Sequence, residues 1–358
     1  MAIIPVVTVE EAAAAAIQHS SLRLKGGGSK TALAANAPVV LDLSGLCGVV
    51  AYEPGEFTFT ALAGTPIQEI NRLLSQNGQY LPFDPLLAEK GATLGGTVAA
   101  NSSGPGRYRY GGVRDFILGV QWVDGRGQVV RGGGKVVKNA AGFDLPKLMV
   151  GSLGRLGILL ELTFKVFPQP PAYATLKLDL PDVATALNQV YRLFRGVLEL
   201  DALDLTPPGT LWLRQGGIEA TLRPRLEQLR QSVGGGEIIT GPEEAAIWHT
   251  ARELAWVPAR TTLVKLPLTP KRIPSLQTAL APYEPTIRYS AGGNVAWIAW
   301  PTSPDVLATL LKEQGLRGVA LLGEPLAQPL LGVPPDPIFT RRIRQALDLE
   351  GKFGGVGE

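Results

Sequence analysis

The sequence has very few of the side chains that build disulfides, metal sites and the usual acid–base sites. Its 358 residues include one cysteine, Cys47, and two histidines, His19 and His249. A single cysteine excludes an internal disulfide and a cysteine-rich zinc cluster, and it is typical of a protein from a reducing cytoplasm. We expect Cys47 to be a small buried apolar side chain. Because histidine is the usual general base near neutral pH, its scarcity leaves few candidates for that role.

Excess charge and long apolar runs are also lacking. The formal net charge is only +3, and the basic residues form no run interleaved with aromatic residues, which argues against nucleic-acid binding. No apolar stretch reaches the length of a transmembrane helix, and the first residues lack the basic start and cleavage site of a signal peptide. We therefore expect a cytoplasmic protein, with any membrane association made through partners.

Glycine is abundant, with 43 residues, and it is concentrated in three segments of the first half: residues 25–31, 82–114 and 142–159. Such segments cannot build a packed core, because glycine contributes no apolar area and loses the most backbone freedom on folding. A ligand approached closely by backbone would order them. We therefore expect one extended, phosphate-containing cofactor to touch all three segments.

The first glycine segment, KGGGSKT, resembles a phosphate loop without its defining spacing. A Walker A loop has glycine directly before the lysine, whereas here Ser29 precedes Lys30. The spacing of a Rossmann dinucleotide fingerprint is also missing. A turn of backbone N–H groups, with Ser29 and Lys30 as further donors, can still bind an anion. The alternative is a flexible loop without a ligand.

Local patterns predict several elements. Helices are expected at residues 8–19, where Thr8 and Glu11 form a capping box, and at 65–77, where Thr65 is the N-cap. Asp124 and Gly125 predict a hairpin turn. A proline-rich stretch ends the glycine pattern at residues 168–171, and strands then alternate with amphipathic helices to about residue 326. These patterns predict an α+β fold. Three tryptophans of the second half are expected in the core or at an interface: Trp248, Trp297 and Trp300.

The order of the motifs GGGSK, ATLGGTVAANSSG and KNAAGFDLPKLMVGS resembles the FAD-binding domain of the vanillyl-alcohol oxidase superfamily, over residues 5–168. The segments IWHTARE and RRIRQALDLEGKF are similar to those of the FAD-binding (E-type) subunits of bacterial glycolate oxidase. The resemblance implies a PCMH-type FAD-binding domain of two subdomains at residues 1–170 and an α+β cap domain at 171–326. A C-terminal helix and tail, residues 327–358, would return to the FAD domain.

The same resemblance implies a function. The chain would be the FAD-binding subunit of a heteromeric glycolate oxidase, which converts glycolate to glyoxylate. It would work with a larger homologous FAD subunit and an iron–sulfur subunit, as an accessory or electron-relay chain. Two alternatives stay open: a self-sufficient FAD-dependent 2-hydroxy-acid dehydrogenase, and an assembly scaffold with a vestigial flavin site.

The same resemblance also assigns roles to individual residues. The residue types suit these roles, because glycines let backbone amides approach the cofactor closely and short polar side chains can form hydrogen bonds with the flavin. The pyrophosphate would be wrapped by Gly26, Gly27, Gly28, Ser29 and Lys30. The ribityl chain and the ring edge would be lined by Thr93, Gly95, Gly96, Asn101, Ser102 and Gly104. The adenosine half would contact Gly154, Gly157 and Ile158.

Departures from the superfamily pattern are equally informative. Members with covalently attached FAD use a histidine, sometimes with a cysteine, in the glycine segments, and neither His19 nor Cys47 lies in one. The FAD should therefore be noncovalent. Phe143 stands where a tyrosine is common. The histidine-rich cap motifs of the catalytic relatives, which bind metal and remove the substrate's hydroxyl proton, are missing, so no metal site is expected.

The catalytic residues are left unknown by the sequence, with three weak candidates. Arg107 and Arg114 follow the flavin-binding glycines. With their neighbour Arg109 they could receive a substrate carboxylate or neutralise a reduced flavin. The alternative is a surface loop or a partner-facing patch. His249 could act as a base, although the pattern around it favours a position on a helix surface.

Overall fold

The computed structural model describes residues 2–34, 38–134, 144–196 and 199–353. The chain begins with a small parallel sheet, here called the N-terminal sheet, in which the strand order is β1-β3-β2. Its elements are β1 (Ala2–Pro5), α1 (Val9–Gln18), β2 (Arg23–Lys25) and β3 (Val39–Asp42). The predicted capping box of α1 is confirmed: Thr8 Oγ1 accepts from the Glu11 N–H, and the Glu11 carboxylate accepts from the Thr8 N–H.

The central sheet is antiparallel, with the order β4-β5-β9-β7-β8, and a separate short pair joins β6 to β10. The strands of the central sheet are β4 (Val49–Glu53), β5 (Thr58–Leu62), β7 (Ile117–Val123), β8 (Val129–Gly133) and β9 (Ile158–Lys165), and those of the pair are β6 (Gln79–Tyr80) and β10 (Phe167–Pro168). The helices beside it are α2 (Ile67–Ser75), α3 (Leu94–Ala99), α4 (Arg107–Tyr110), α5 (Val113–Phe116) and α6 (Leu145–Met149).

Two local predictions in this region have different outcomes. The β7–β8 hairpin is confirmed, although residues 124–128 form a longer turn than the dipeptide suggested, with Asp124 Oδ1 accepting from the N–H groups of Arg126 and Gln128. Thr65 as the N-cap of α2 is wrong. Its hydroxyl instead accepts from the Gly48 N–H at 2.9 Å and lies 2.7 Å from Leu62 O, so it ties the preceding turn to the end of β5.

The cap sheet is antiparallel and large, with the order β14-β11-β13-β12-β16-β17-β15-β18-β19. Its strands are β11 (Ala172–Asp179), β12 (Ala202–Thr206), β13 (Thr210–Gly217), β14 (Glu237–Thr240), β15 (Thr262–Pro267), β16 (Thr286–Ser290), β17 (Val295–Trp300), β18 (Arg317–Leu322) and β19 (Leu330–Gly332). The helices of the second half are α7 (Val183–Leu193), α8 (Glu219–Val233), α9 (Gly241–Arg252), α10 (Ile273–Leu280), α11 (Pro304–Glu313) and α12 (Pro337–Leu347).

Alternation along the cap strands decides which side chains face the rest of the protein. Successive side chains of a strand point to opposite faces of the sheet. In β17, Val295 and Trp297 belong to the core shared with the central sheet, whereas Ile298 and Trp300 belong to the core under the cap helices. The expected burial of the three tryptophans is confirmed, because Trp248 is also fully buried. One face of the cap sheet therefore packs against the central sheet, which belongs to the first half of the chain.

The chain end returns to the N-terminal sheet. Phe353 is 1% exposed and lies in the same core cluster as Leu22 and Leu41. Lys352 Nζ donates to Ala16 O at 2.9 Å, and the Leu22 N–H donates to Lys352 O at 2.7 Å. These contacts anchor the tail beside β2, the strand that leads into the first glycine segment.

Cys47 is exposed, so the expectation of a buried cysteine is wrong. It lies in the link between Leu46, whose side chain is in the core of the N-terminal sheet, and β4. Within the described ranges, no helix is long and apolar enough to cross a membrane.

Candidate functional site

A cavity of about 420 Å³ lies between the N-terminal sheet and the central sheet. All three glycine segments contribute to its walls, as the sequence predicted for a single extended ligand. The predicted cofactor residues that line it are Gly26, Gly27, Gly28, Ser29, Lys30, Thr93, Gly95, Gly96, Gly154 and Gly157. Apolar side chains complete the walls, among them Leu22, Leu24, Val40 and Leu159.

Four predicted residues stand outside this lining. Asn101 and Ser102 follow the end of α3, beyond the cavity. Gly104 is buried where the chain passes Asp84, and a Cβ there would lie 2.6 Å from Asp84 O. Ile158 is fully buried in the core of the N-terminal sheet. The side chain of Ile158 therefore does not face the cavity, and its contact with the adenosine half of FAD stays a prediction.

Close packing between loops explains two of the glycines. A Cβ on Gly27 would lie 1.7 Å from Gly91 O, so only glycine allows the first segment to cross the second. Gly157 has a φ of 142°, and a Cβ there would lie 2.5 Å from Val123 O. Both sites place backbone at the cavity wall, where a ligand can meet N–H and C=O groups.

Lys30 ends the first glycine segment and supplies a buried positive charge. The side chain is 8% exposed, and its Nζ lies 3.5 Å from Ser29 Oγ. Burial lowers the pKa of Lys30 to about 8, because the charged form is poorly solvated. A phosphate group in the cavity would supply the missing negative charge, and it would raise this pKa again.

A second buried lysine comes from the cap. Lys265 lies on β15 and faces the central sheet, and its Nζ donates to Asn101 O. Burial, together with the nearby positive charges of Arg107 and Lys30, lowers the pKa of Lys265 to about 7. Burial also lowers the pKa of Arg107, which the Asp115 carboxylate partly offsets. Lys30, Arg107 and Lys265, from three segments of the chain, thus lie near one another beyond the end of α3. Their positive charges would stabilise an anionic group there.

Sequence reasoning missed Lys265, although a signal was present. The strand TLVKLP is apolar apart from Thr262 and this lysine, and Leu263 and Lys265 occupy the same face of the cap sheet. A lysine at a core-facing position of a strand needs a partner charge or a ligand. The pattern marks an unusual residue, but only the packing of the cap shows that it lies near Arg107.

The fit of a flavin to this region can be tested on unpaired polar atoms. Ser102 Oγ and Thr97 Oγ1 are buried without a hydrogen-bond partner. A buried hydroxyl without a partner is costly, so such atoms indicate a ligand or water that would satisfy them. Neither of these two residues lines the cavity, whereas Lys30 and the glycine walls do, and those walls suit a ligand that carries phosphate groups.

The three catalytic candidates are not brought together. Arg107 is largely buried beside Lys265, whereas Arg114 is exposed and donates to Lys147 O at 3.1 Å. His249 is half exposed on α9, with its Nε2 3.0 Å from Glu89 Oε1, and it lines a separate cleft. Their catalytic roles stay untested predictions.

Arg109 has intramolecular partners in the cap. It pairs with Glu199 at 2.7 Å and with Asp201 at 3.1 Å, so it ties α4 to the strand β12 region. Phe143 and the KNAAGF part of its motif lie outside the described residues. Among the residues that the structure describes, no three histidine, cysteine, aspartate or glutamate side chains are placed to hold a metal ion.

Comparison with known proteins identifies the architecture. Residues 7–133 match the FAD binding domain family. The glycolate oxidase subunit GlcE of Escherichia coli K12 is 31% identical over 355 residues, which cover 96% of this chain and 94% of that protein. The chain belongs to the GlcE family of FAD-binding proteins. FAD is the cofactor of this family's domain, and the glycine-lined cavity lies within the half of the chain that carries the match.

Other relatives of this GlcE family member match over shorter stretches. D-2-hydroxyglutarate dehydrogenase of Xanthomonas citri pv. viticola is 34% identical over 181 residues, 51% of this chain and 37% of that protein. Glycolate oxidase subunit GlcD of Bacillus subtilis is 35% identical over 128 residues, 36% of this chain and 27% of that protein. The chain thus spans only about a third of the length of these two relatives.

A solved alkyldihydroxyacetonephosphate synthase superposes with a TM-score of 0.71 at 14% identity, covering 99% of this chain and 76% of that one. This likeness concerns the fold alone. It extends over both halves of the GlcE family chain, so the FAD-type half and the cap half share one architecture with that enzyme.

Proposed function

We propose that this protein is the FAD-carrying subunit of a multi-subunit glycolate oxidase. The observation that carries the proposal is the match to GlcE over 94% of that protein. The glycolate oxidase subunit GlcD is a further relative. We propose a larger homologous FAD subunit and an iron–sulfur subunit as the partners.

Within the proposal, FAD binds noncovalently in the cavity. Backbone N–H groups at Gly26–Gly28 and the Lys30 ammonium hold the diphosphate, since both present positive charge to the cavity. Contact of Ser102 with the flavin ring stays a prediction, because Ser102 is not among the residues that line the cavity. His19 and Cys47, the residue types that attach FAD covalently, are not among the cavity residues.

The same proposal divides the chain into an FAD domain (1–170), a cap (171–326) and a C-terminal helix and tail (327–358). The burial of Phe353 beside Leu22 supports the return of the tail to the FAD domain. Two hydrogen bonds join Thr31 to Gly323, and they support contact between the cap and the phosphate loop.

We propose an accessory or electron-relay role over an autonomous catalytic one. Oxidation of a 2-hydroxy acid needs a base for the hydroxyl proton, and a positioned base contributes about 10²- to 10⁴-fold to the rate. His249 lines a cleft that shares no residue with the FAD cavity. A partner would then supply the base, while bound FAD supplies a two-electron acceptor.

A specific observation favours a second candidate, a self-sufficient 2-hydroxy-acid dehydrogenase. The Lys265 amine is buried beside Arg107, and its pKa of about 7 leaves a substantial neutral fraction near neutral pH. In this reading the neutral amine accepts the hydroxyl proton while Arg107 holds the substrate carboxylate.

Anaerobic mixing of the purified chain with glycolate, D-lactate and L-lactate separates the two candidates. For an accessory subunit we expect flavin absorbance, release of free FAD on acid precipitation, and no rapid bleaching by any of the three acids. Bleaching should appear when the larger FAD subunit and the iron–sulfur subunit are co-produced. Rapid bleaching of the isolated chain that is lost in Lys265→Met would support the self-sufficient enzyme. Flavin that stays with the precipitated protein would contradict noncovalent binding.

A further inference from the structure

The C-terminal helix α12 presents an unusual outer surface. Ile338 and Phe339 are 63% and 64% exposed, although they are large apolar side chains. Arg341 and Arg342 are exposed beside them. The opposite side of the helix packs through Ile343 and Leu347 against the large core shared by the central and cap sheets. The helix is thus held in place by one side and leaves the other side uncovered.

The charge on α12 has one sign. Its sequence, PIFTRRIRQAL, contains three arginines and no carboxylate. The flanking carboxylates are directed to the backbone: Asp336 accepts from the N–H groups of Ile338 and Phe339, and Asp348 accepts from those of Lys352 and Phe353. Among the described residues, no ion pair joins either of these acids to Arg341 or Arg342.

The positive field extends to neighbouring segments. Burial lowers the pKa of Arg155, and the nearby charges of Arg344 and Arg317 lower it further. Arg155 directly follows Gly154, which lines the FAD cavity. Arg155 and Arg344 are both half-buried, and the interaction of their charges places α12 close to the loop that forms one wall of the cofactor site.

The composition of this face suits a protein partner better than a lipid surface. Protein interfaces are enriched in aromatic residues and arginine and depleted in lysine and glutamate. The exposed side of α12 carries phenylalanine, isoleucine and arginine and neither lysine nor glutamate. A helix that lies in a membrane needs a long apolar stripe, whereas here the exposed large apolar pair sits in the first turn.

We propose that the exposed face of α12, formed by Ile338, Phe339, Arg341 and Arg342, docks an acidic, apolar-centred surface of another subunit of the oxidase. The inference rests on the proposed function, which supplies the partner. Phe339 and Ile338 would enter an apolar depression, and the two arginines would pair with carboxylates at its rim. The partner would lie next to the Gly154–Arg155 wall of the FAD cavity, a position suited to a redox complex.

A matched pair of double variants tests the docking face. Phe339→Asp with Arg342→Glu changes α12. The control, Ile218→Asp with Arg223→Glu, makes the same changes at exposed positions next to and on α8. Each tagged protein is co-produced with the larger FAD subunit and the iron–sulfur subunit. We expect the wild type and the control to co-purify with a partner, and the α12 variant to lose at least about tenfold in apparent affinity. FAD content and melting temperature should be unchanged.

Each outcome of this experiment either supports or overturns the assignment of α12 as the docking face. Retention of both partners by the α12 variant would overturn the inference and leave the proposed function intact, whereas a wild type that binds neither partner would overturn both. Binding of the wild type alone to vesicles of phosphatidylcholine and phosphatidylglycerol would reassign the face to a membrane. Dimers of the wild type that the variant lacks would reassign it to a second copy. Should the double variant misfold, Phe339→Ala and Arg342→Gln, tested separately, must each weaken the complex for the inference to stand.

Discussion

At the scale of single residues, Gly27 has the least room for a side chain among the glycines that line the cofactor cavity. A methyl group on Gly27 would lie 1.7 Å from Gly91 O, so the two loops would have to separate. We expect Gly27→Ala to cost about 1–3 kcal/mol and to weaken FAD binding roughly 5- to 150-fold. Titration of the apoprotein with FAD, followed by flavin fluorescence, measures the change.

The control for this variant is Gly55→Ala, because a Cβ at Gly55 meets no atom within 4 Å. Its FAD affinity should equal that of the wild type. Normal affinity in Gly27→Ala would show that the loops do not cross as described.

A second residue-scale prediction concerns the pH dependence of the FAD-free protein. The folded chain holds the pKa of Lys265 at about 7, against its ordinary value of 10.5. Between these pH values the unfolded chain binds the proton more tightly, so the free energy of unfolding rises as the pH increases from about 7 towards 10.5. The rise contributed by this lysine is at most about 1.4 kcal/mol per pH unit.

Urea unfolding across that pH range, in the apoprotein and in Lys265→Met, isolates the effect. The variant should lose the rise, and Lys271→Met, at an exposed lysine, should keep it. Parallel curves for the wild type and Lys265→Met would show that Lys265 is not desolvated. Bound FAD should flatten the wild-type curve, since a nearby anion favours the charged lysine.

At the scale of elements, the short 3₁₀ turn Thr31–Leu33 connects the phosphate loop to the cap. Thr31 Oγ1 donates to Gly323 O at 2.7 Å and accepts from the Gly323 N–H at 3.1 Å, while Ala32 is buried in the cap core. The cap therefore holds the C-terminal end of the loop that ends in Lys30.

We expect Thr31→Val to lose both side-chain hydrogen bonds and to leave the Gly323 N–H without this partner. The loss should be about 1–2 kcal/mol, so FAD affinity should fall roughly 5- to 30-fold if the loop loosens. Isothermal titration measures it. Thr309→Val, at a threonine that bonds only within α11, is the control, and equal affinities in the two variants would refute the coupling.

At the scale of the whole molecule, the chain end closes the N-terminal sheet. Phe353 is buried with Leu22, which also lines the FAD cavity. Phe353→Ala should lower the free energy of unfolding by about 3–5 kcal/mol, as expected for a large buried side chain. FAD binding should weaken with it.

Thermal and urea unfolding with and without FAD measure this effect. Phe339→Ala, at an exposed phenylalanine, should leave stability nearly unchanged. A stable Phe353→Ala variant with normal FAD content would show that the tail does not support the cofactor site.

The sequence by itself determined the elements and the chemistry of the first half. Glycines in three segments predicted one extended ligand, because such segments contribute little apolar area to a core, and all three line the cavity. The capping box at Thr8 and the hairpin at Asp124 were readable because the interactions that make them lie within a few residues. Thr65 was misread because its hydroxyl bonds across the turn to Gly48 and not along the helix.

Only the tertiary structure decided which distant residues meet. Lys265 and Arg107 are 158 positions apart in the sequence, and their charges interact because β15 turns one face of the cap towards α4. The separation of His249 from the FAD cavity and the pairing of Arg109 with Asp201 are likewise set by how the cap packs. Local periodicity shows which face of an element is apolar, but burial and charge at a site depend on what the opposite element brings, and that is decided by long-range packing.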